Sequence, residues 1–166
     1  MNSQSKKDIF DYVRNLLTDK GIEISHDDAT RPWGGFFVIK DTSLSRFTES
    51  FFPHTEVQPA YENQPLSPKI LLIEPGKRFS WQFHNRRSEI WTMAEGHAGL
   101  ITSATDQQGE MVDFREGDTV YLECGTRHRL IGLNTWGIIA EIWQHTDPDH
   151  PSDEEDIVRI EDDFGR

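Results

Sequence analysis

The amino-acid sequence predicts an all-β fold, an antiparallel sandwich or barrel, with a helix near the N-terminus. From Lys69 onward, short apolar runs recur, among them KILLIE, FSWQF and GIIAEIW. Turn-forming residues separate these runs, as at Pro75-Gly76 and Glu116-Gly117. Many short strands divided by Gly, Asn and Asp turns are typical of antiparallel β proteins. Residues 6–20 have helical spacing instead, which adds the helix.

The N-terminal helix is predicted from the spacing of its apolar side chains. The repeating apolar positions are Ile9, Phe10, Val13, Leu16 and Leu17. Lys20-Gly21 then supplies a stop signal. We expect this helix to cover one end of the barrel or a dimer seam, with a partner-binding arm as the alternative.

The segments on either side of the strand-rich region are less regular. A strand is predicted at Phe36–Ile39, after the Pro and Gly residues of RPWGG. Residues 41–68 contain four prolines, and within them SLSRFTESFF has the spacing of a short helix. A long irregular stretch of this kind is often a lid or an interface. In the acidic tail, Ile157, Val158 and Ile160 predict that part of the tail docks on the barrel.

The stretch GKRFSWQFHNRRSEIWTMAEG carries side chains suited to one divalent metal ion. On a strand, Gln82 and His84 share one face. A hairpin with a short turn at residues 86–88 would bring Glu89 back beside His84, and His128, after the turn CGT, can supply a fourth ligand. Imidazole, carboxylate and amide oxygen suit zinc, manganese, iron or nickel. Each residue alone also has a structural explanation, such as a buried amide, but the joint spacing favours a metal site.

The same stretch resembles the first cupin motif: Gly, five residues, HxH, four residues, Glu, six residues and Gly. Gln82 stands where the first histidine usually stands. The second cupin motif is present as Gly117, Gly125 and His128, although the usual Pro and Asn of that motif are replaced. This pair of motifs identifies the chain as a member of the cupin superfamily.

A narrower resemblance rests on four separated segments that occur in one order. RPWG, QFHNRRSEIW, GTRHRL and EDIVRIEDDFGR together resemble the cupin-type (type II) mannose-6-phosphate isomerases, in which Gln at the position of Gln82 is normal. Members of that family more often have a His-rich run after the Gln and a His before the Trp. This chain has Asn85, Arg86 and Ile90 at those places, so a heptose phosphate or a free sugar is an alternative substrate.

The resemblance implies a cupin double-stranded β-helix, or jelly roll, over residues 31–166, with residues 1–30 as an N-terminal helical extension. It also implies an aldose–ketose isomerisation of a sugar phosphate, in which a proton moves between adjacent carbons. We expect Gln82, His84, Glu89 and His128 to hold a divalent metal, zinc first, with manganese, nickel or iron as alternatives. We also expect a homodimer.

Three residues are expected to act on the substrate: Glu89, Arg87 and Arg159. The planar donor fork of an arginine suits a phosphate or carboxylate group. Glu89 would be unavailable as a base if it binds the metal, and then Glu141, Glu161 and Asp162 are the other candidates for proton transfer. The sequence does not rank these three.

Composition limits the partners. The chain of 166 residues has a net charge of −12, which makes nucleic acid and anionic membrane surfaces unsuitable partners. A phosphorylated sugar would therefore need a local basic patch. Cys124 is the single cysteine, so no disulfide can form within the chain, and no apolar leader or membrane-spanning run is present. We expect a cytoplasmic protein.

Two other functions fit the same sequence. The first is a non-catalytic cupin that binds a sugar or a nucleotide sugar. The second is a metal oxygenase, because cupin sites can host iron; iron content and oxygen uptake would distinguish it from an isomerase.

Overall fold

Two helices pack on one face of the six-stranded sheet in this computed structural model, which describes residues 4–59 and 62–166. Helix α1 spans Lys6–Asp19. Its N-cap is Ser5, whose side chain accepts a hydrogen bond from the backbone N–H of Asp8. Helix α2 spans Leu44–Phe51 and follows a 3₁₀ turn at Asp41–Ser43. The predicted helix at 6–20 and the predicted short helix in SLSRFTESFF are both confirmed.

The described residues form eleven strands. Their bounds are β1 Ile24–Asp28, β2 Gly34–Ile39, β3 Lys69–Ile73, β4 Trp81–Phe83, β5 Arg87–Glu95, β6 His97–Ser103, β7 Val112–Arg115, β8 Thr119–Leu122, β9 Arg127–Gly132, β10 Gly137–His145 and β11 Val158–Glu161. Every pairing between them is antiparallel. One sheet has the order β1-β2-β3-β10-β5-β8, and the other has the order β11-β4-β9-β6-β7. The predicted all-β fold is confirmed.

The apolar side chains form two cores, one on each face of the six-stranded sheet. In β3, Ile70 and Leu72 pack in the core shared with α1 and α2, whereas Leu71 and Ile73 pack in the core between the two sheets. All five residues of β3 are buried. A strand covered on both faces reads as a continuous apolar run, which explains why KILLIE does not alternate between polar and apolar residues.

The turn before β2 brings two backbone segments into close contact. Gly34 has a φ of +147°, and a Cβ atom built on it would lie 1.9 Å from the carbonyl oxygen of Leu72. A side chain at this position would therefore collide with β3 and strain the backbone. The glycine pair of RPWGG thus allows β2 to pair with β3 beside the cavity described below.

The structure refines or corrects three of the predictions made from the sequence. The turn expected at residues 86–88 lies earlier, because Arg87 and Ser88 already belong to β5. The hairpin expected there is wrong, because β4 and β5 belong to different sheets and the chain crosses from one sheet to the other at this turn. The docking expected for the acidic tail takes the form of β11, which pairs with β4. Strand β1 pairs with β2, so the region predicted to be an N-terminal extension contributes an edge strand as well as α1. The domain division at residue 30 stays a prediction.

That the irregular region at 41–68 is a lid or an interface stays a prediction. Residues 60 and 61 of this region lie outside the described residues. Among the residues that the structure describes, no helix is long and apolar enough to cross a bilayer.

Candidate metal centre and its cavity

A cavity of about 90 Å³, open to solvent at its mouth, lies between the two sheets. One wall comes from the six-stranded sheet, where Glu141 of β10 lies directly between Lys69 of β3 and Trp91 of β5. Directly opposed residues of an antiparallel pair project to the same face of a sheet. The strand register therefore places an acid, a cation and an aromatic ring side by side in the cavity wall.

The facing wall comes from the five-stranded sheet. Gln82 of β4 lies between Arg159 of β11 and His128 of β9. Gln82 and Arg159 line the cavity, and His128 lies behind them with 1% of its surface exposed. Three of the residues singled out in the sequence thus form one row across three adjacent strands.

The imidazoles of His84 and His128 converge on the carboxylate of Glu89. Glu89 Oε1 lies 2.8 Å from His84 Nε2 and 3.3 Å from His128 Nε2. All three residues are at most 3% exposed, and their ligand atoms lie within 4.8 Å of one another. A metal ion bound tetrahedrally at bond lengths of about 2.0–2.2 Å holds neighbouring ligand atoms about 3.3–3.6 Å apart. The separation of Glu89 from His128 is in this range, and that of Glu89 from His84 would have to open by about 0.5 Å.

The backbone fixes which ring nitrogen of each histidine faces the centre. His84 Nδ1 lies 2.7 Å from the carbonyl oxygen of Asp156, and His128 Nδ1 lies 3.0 Å from the carbonyl oxygen of Thr126. A carbonyl only accepts hydrogen bonds, so each Nδ1 carries the proton and each Nε2 offers a lone pair. Burial lowers the pKa of His84, which favours the neutral ring that a metal requires.

The centre contains acceptors that no donor satisfies. Glu89 Oε1 and His128 Nε2 are buried and have no hydrogen-bond partner within the described part of the chain. His84 Nε2 has one long contact, 3.3 Å from an Nη2 of Arg87. Unsatisfied buried acceptors are unfavourable, and a cation among these three atoms would satisfy them. The residues therefore fit a divalent metal ion.

Gln82, the fourth expected ligand, lies beside this group. It is 8% exposed, and its Oε1 accepts a hydrogen bond of 2.6 Å from Ser80 Oγ. One lone pair of the amide oxygen is left for a second partner. A ligand role for Gln82 is thus compatible with the geometry, and the role of all four residues stays a prediction.

A second carboxylate lies next to Glu89. Both oxygens of Glu141 accept indole N–H groups, from Trp91 at 2.8 Å and from Trp143 at 2.9 Å. Burial opposes ionisation of Glu89, but His84 and Arg87 hold its pKa well below the usual range. Burial, together with the charge of Glu89, raises the pKa of Glu141 well above the usual range. The pKa values of the two neighbouring carboxyl groups are thus shifted in opposite directions.

Two cations pack on one indole ring in the cavity. Lys69 Nζ lies 3.2 Å and Arg87 Cζ lies 3.7 Å from the centroid of the Trp143 ring. Lys69 also pairs with Glu154 at 3.1 Å, and Arg87 Nε lies 3.8 Å from Glu89 Oε2. Arg87, predicted to act on the substrate, therefore lies in the cavity, and most of its contacts are with other groups of the protein.

The cavity is basic, although the protein is acidic. Its lining contains five cationic side chains and three acidic ones. The cations are Arg31, Lys69, Arg87, Arg159 and Arg166. Arg159 Nε is buried and has no hydrogen-bond partner among the described residues. The local basic patch that a phosphorylated sugar would need is present, and Arg159 is its least committed member.

The structure also ranks the other acids considered for proton transfer. Glu141 lines the cavity, whereas Glu161 and Asp162 do not. Arg166 pairs with Asp162 and, against the effect of burial, lowers its pKa to about 2. In the sequence, Glu141 is a lone acid within the apolar run GIIAEIW, which was the available signal of burial. Nothing in the sequence distinguished the tail residue Asp156 from its acidic neighbours.

Comparison with known proteins gives a family and a fold. The family model described as mannose-6-phosphate isomerase C-terminal matches residues 40–162. A mannose-1-phosphate guanylyltransferase from Klebsiella pneumoniae is 25% identical over 170 residues, which cover 100% of this chain and 29% of that protein. The xanthan biosynthesis protein XanB from Xanthomonas campestris is 29% identical over 141 residues, which cover 85% of this chain and 24% of that protein. The chain thus spans less than a third of the length of these relatives.

Solved structures support the cupin fold at low sequence identity. An oxalate decarboxylase from Bacillus subtilis aligns with a TM-score of 0.57 and 15% identity, over 81% of this chain and 30% of that one. The capsular polysaccharide assembling protein CapF from Staphylococcus aureus aligns with a TM-score of 0.52 and 14% identity, over 85% of this chain and 34% of that one. The predicted cupin jelly roll is confirmed.

Proposed function

The chain belongs to the mannose-6-phosphate isomerase C-terminal family, and on that premise we propose that it is a metal-dependent aldose–ketose isomerase of a sugar phosphate. The family, and relatives named for guanylyl transfer to mannose 1-phosphate and for xanthan biosynthesis, place the domain in sugar metabolism. Mannose 6-phosphate is the first candidate substrate, and a heptose phosphate is the second.

One observation carries the proposal: three buried acceptor atoms converge, and two of them, Glu89 Oε1 and His128 Nε2, have no hydrogen-bond donor among the described residues. His84, Glu89 and His128 would hold the metal, with Gln82 as a fourth ligand. Zinc is the first candidate, because two imidazoles and one carboxylate form a common zinc ligand set. When bound, the metal would polarise the carbonyl and hydroxyl oxygens of the sugar.

The basic lining would hold the phosphate end of the substrate. Arg159 is the strongest candidate, since its Nε is buried and unpartnered. Arg31 also lines the cavity, although one side of it pairs with Asp28 at 3.1 Å. Charge-assisted hydrogen bonds from such groups are stronger than neutral ones, so these arginines would fix the orientation of the sugar.

Glu141 would move the proton between the two sugar carbons. It is the cavity acid that neither belongs to the proposed ligand set nor pairs with a cation, since Glu154 pairs with Lys69. Trp91 and Trp143 hold its carboxyl group in one orientation. Their indole rings also cover the group with apolar surface, which limits the access of water.

Binding without turnover is the second candidate function, and one observation favours it. Both oxygens of Glu141 already accept indole N–H groups, so proton exchange must use the remaining lone pairs. A cupin that holds a sugar or a nucleotide sugar would need the same cavity and no proton transfer.

The test combines metal analysis with a substrate screen. We would measure bound metal in the purified protein and assay aldose and ketose phosphates before chelation, after chelation and after addition of zinc or manganese. We expect turnover that chelation removes and metal restores. Chelator-insensitive turnover would contradict the metal role, and bound metal without turnover of any sugar would favour the binding function.

A matched pair of variants makes the test specific. His128→Asn removes a ligand from the proposed centre, whereas His150→Asn changes an exposed histidine in the tail. Loss of metal in the first variant alone is the expected result.

A further inference from the structure

The carboxylate of Asp156 is buried and accepts three hydrogen bonds, although Asp156 belongs to the acidic tail. Its Oδ1 accepts the backbone N–H of Asn85 at 2.9 Å, and its Oδ2 accepts the backbone N–H of Arg86 at 3.0 Å. Oδ2 also accepts the hydroxyl of Ser152 at 2.6 Å. Asp156 is 3% exposed. Asp156 thus binds the backbone N–H groups of the turn between β4 and β5, although it is not part of that turn.

This turn connects two of the proposed metal ligands. His84 precedes Asn85 and Arg86, and Glu89 follows on β5. The turn is short and lacks an internal backbone hydrogen bond of its own among the described contacts, so the tail supplies acceptors for two of its N–H groups. The spacing of the two ligands therefore depends on residues about seventy positions away.

The same tail segment also holds the side chains of the centre. The carbonyl of Asp156 accepts the Nδ1–H of His84 at 2.7 Å. Arg87 Nη1 donates to Ser152 Oγ and to the carbonyl of Asp153, each at 2.9 Å. Residues 152–156 thus fix the tautomer of one ligand and the position of the cation beside it.

A buried histidine anchors the start of this segment. The backbone N–H of Ser152 donates to His145 Nδ1 at 2.9 Å. Burial, with Arg87 and Lys69 nearby, lowers the pKa of His145, while Asp156 acts in the opposite direction. A neutral ring can accept the Ser152 N–H, so the segment is fastened to β10 at one end and to the β4–β5 turn at the other.

We propose that residues 152–156 form part of the metal centre. Asp156 is the positioning residue, which holds His84 and the β4–β5 turn in the geometry that metal binding requires. This inference rests on the proposed metal site. Partners outside the ligand set commonly change metal affinity about 10–100-fold when they are removed. Asp156→Asn keeps the shape of the side chain but turns an amide N–H₂ toward donors, so one or more of the three bonds must break.

The experiment compares Asp156→Asn with Glu155→Gln, which removes the same charge from an exposed neighbour. The metal-free proteins are titrated with zinc in competition with a chromophoric chelator. We expect Asp156→Asn to bind zinc about 10–100-fold more weakly than the wild type, and Glu155→Gln to bind it within about twofold. Equal affinity of the folded Asp156→Asn variant and the wild type overturns the proposal.

A second readout needs no metal. ¹⁵N-edited NMR of the histidine rings in the metal-free protein reports the tautomer of His84, which we expect to be Nδ1–H in the wild type and mixed in Asp156→Asn. An unchanged tautomer overturns the positioning role even if the wild type binds no zinc, a result that would refute the proposed function separately. Should Asp156→Asn fail to fold, Ser152→Ala removes one bond to Asp156 and one to Arg87 without a charge change, and a mixed His84 tautomer is again expected.

Discussion

Replacement of Glu89 by Gln should remove most of the stability that zinc adds to the protein, because this side chain supplies the negative charge of the proposed centre. Glu89 is the only anionic group among the three convergent ligands. In the metal-free protein, however, its Oε1 is buried and has no hydrogen-bond partner among the described residues. Glu89→Gln keeps the shape of the side chain and removes the charge that attracts the ion.

The size of the effect follows from electrostatics and linkage. At an effective dielectric constant of about 20, a doubly charged ion at about 2.1 Å from a carboxylate oxygen gains about 16 kcal/mol, most of which the lost hydration offsets. A net loss of about 4 kcal/mol, a quarter of that value, weakens zinc binding about a thousandfold. Zinc at 100–1,000 times the wild-type Kd adds about 2.7–4.1 kcal/mol to the unfolding free energy. For a domain of this size, that raises Tm by about 5–16 °C, and the variant should gain less than about 2 °C.

The measurement is thermal unfolding of chelator-treated wild type, Glu89→Gln and Glu110→Gln, each with and without zinc. Glu110 is exposed in the loop between β6 and β7 and serves as the charge-matched control. The metal-free Tm of Glu89→Gln should fall below that of the wild type, because the neighbours that lower the pKa of Glu89 stabilise its charged form in the folded protein. The zinc-induced shift of each protein is therefore taken relative to its own metal-free Tm. A full zinc shift in Glu89→Gln would refute the ligand role.

Four further changes have defined outcomes. Arg159→Ala should raise KM for the sugar phosphate about 10–100-fold, the effect of losing a charged hydrogen bond, in steady-state assays. Glu141→Gln should lower kcat about 10²–10⁴-fold while zinc affinity stays within about tenfold. Urea unfolding of the metal-free protein should show stability falling as pH drops below 6.5, since the pKa of His145 is lowered in the folded state and the unfolded chain binds the proton more readily. Gly34→Ala should destabilise the fold by about 3 kcal/mol or more in the same unfolding experiment.

Each of these outcomes has a control. Arg115→Ala changes an exposed arginine far from the cavity lining and should leave KM unchanged. Glu141→Gln activity equal to that of the wild type would remove the proton-transfer role. His145→Gln should reduce the dependence of the unfolding free energy on pH. An equal slope in that variant would assign the pH dependence to other groups. Gly76→Ala tests a glycine with positive φ but open space around its Cβ, so a loss equal to that of Gly34→Ala would exclude the collision with Leu72.

The fold could be predicted because its local signals agree with its tertiary structure. Helix α1 has one apolar face, and the strands from β3 onward are separated by Gly and Pro turns. The edge strand β1 was missed because Ile24–Asp28 is mostly polar and exposed. A strand that buries few side chains carries little apolar periodicity, so only its pairing with β2 identifies it.

The candidate site could be predicted only where local spacing brings residues together. Gln82, His84 and Glu89 lie within eight consecutive residues, on β4, on β5 and on the turn between them, so their proximity follows largely from the chain itself. Glu141 and Lys69 become neighbours through the register of β3 and β10, which the sequence does not state. Arg87 and Arg159 could be predicted from their motifs, but the grouping of five cations in one lining could not, since they come from separate strands and from the tail.

The bond between His84 and the Asp156 carbonyl spans 72 positions, and this separation sets the order of events during synthesis. A ribosome has translated β4, β5 and the turn between them long before residue 156 leaves the exit tunnel. Until then the ring of His84 lacks its carbonyl acceptor and can turn either nitrogen outward. Selective loading of an ion should therefore follow completion of the polypeptide, and nascent chains arrested before the final strand should hold metal only weakly.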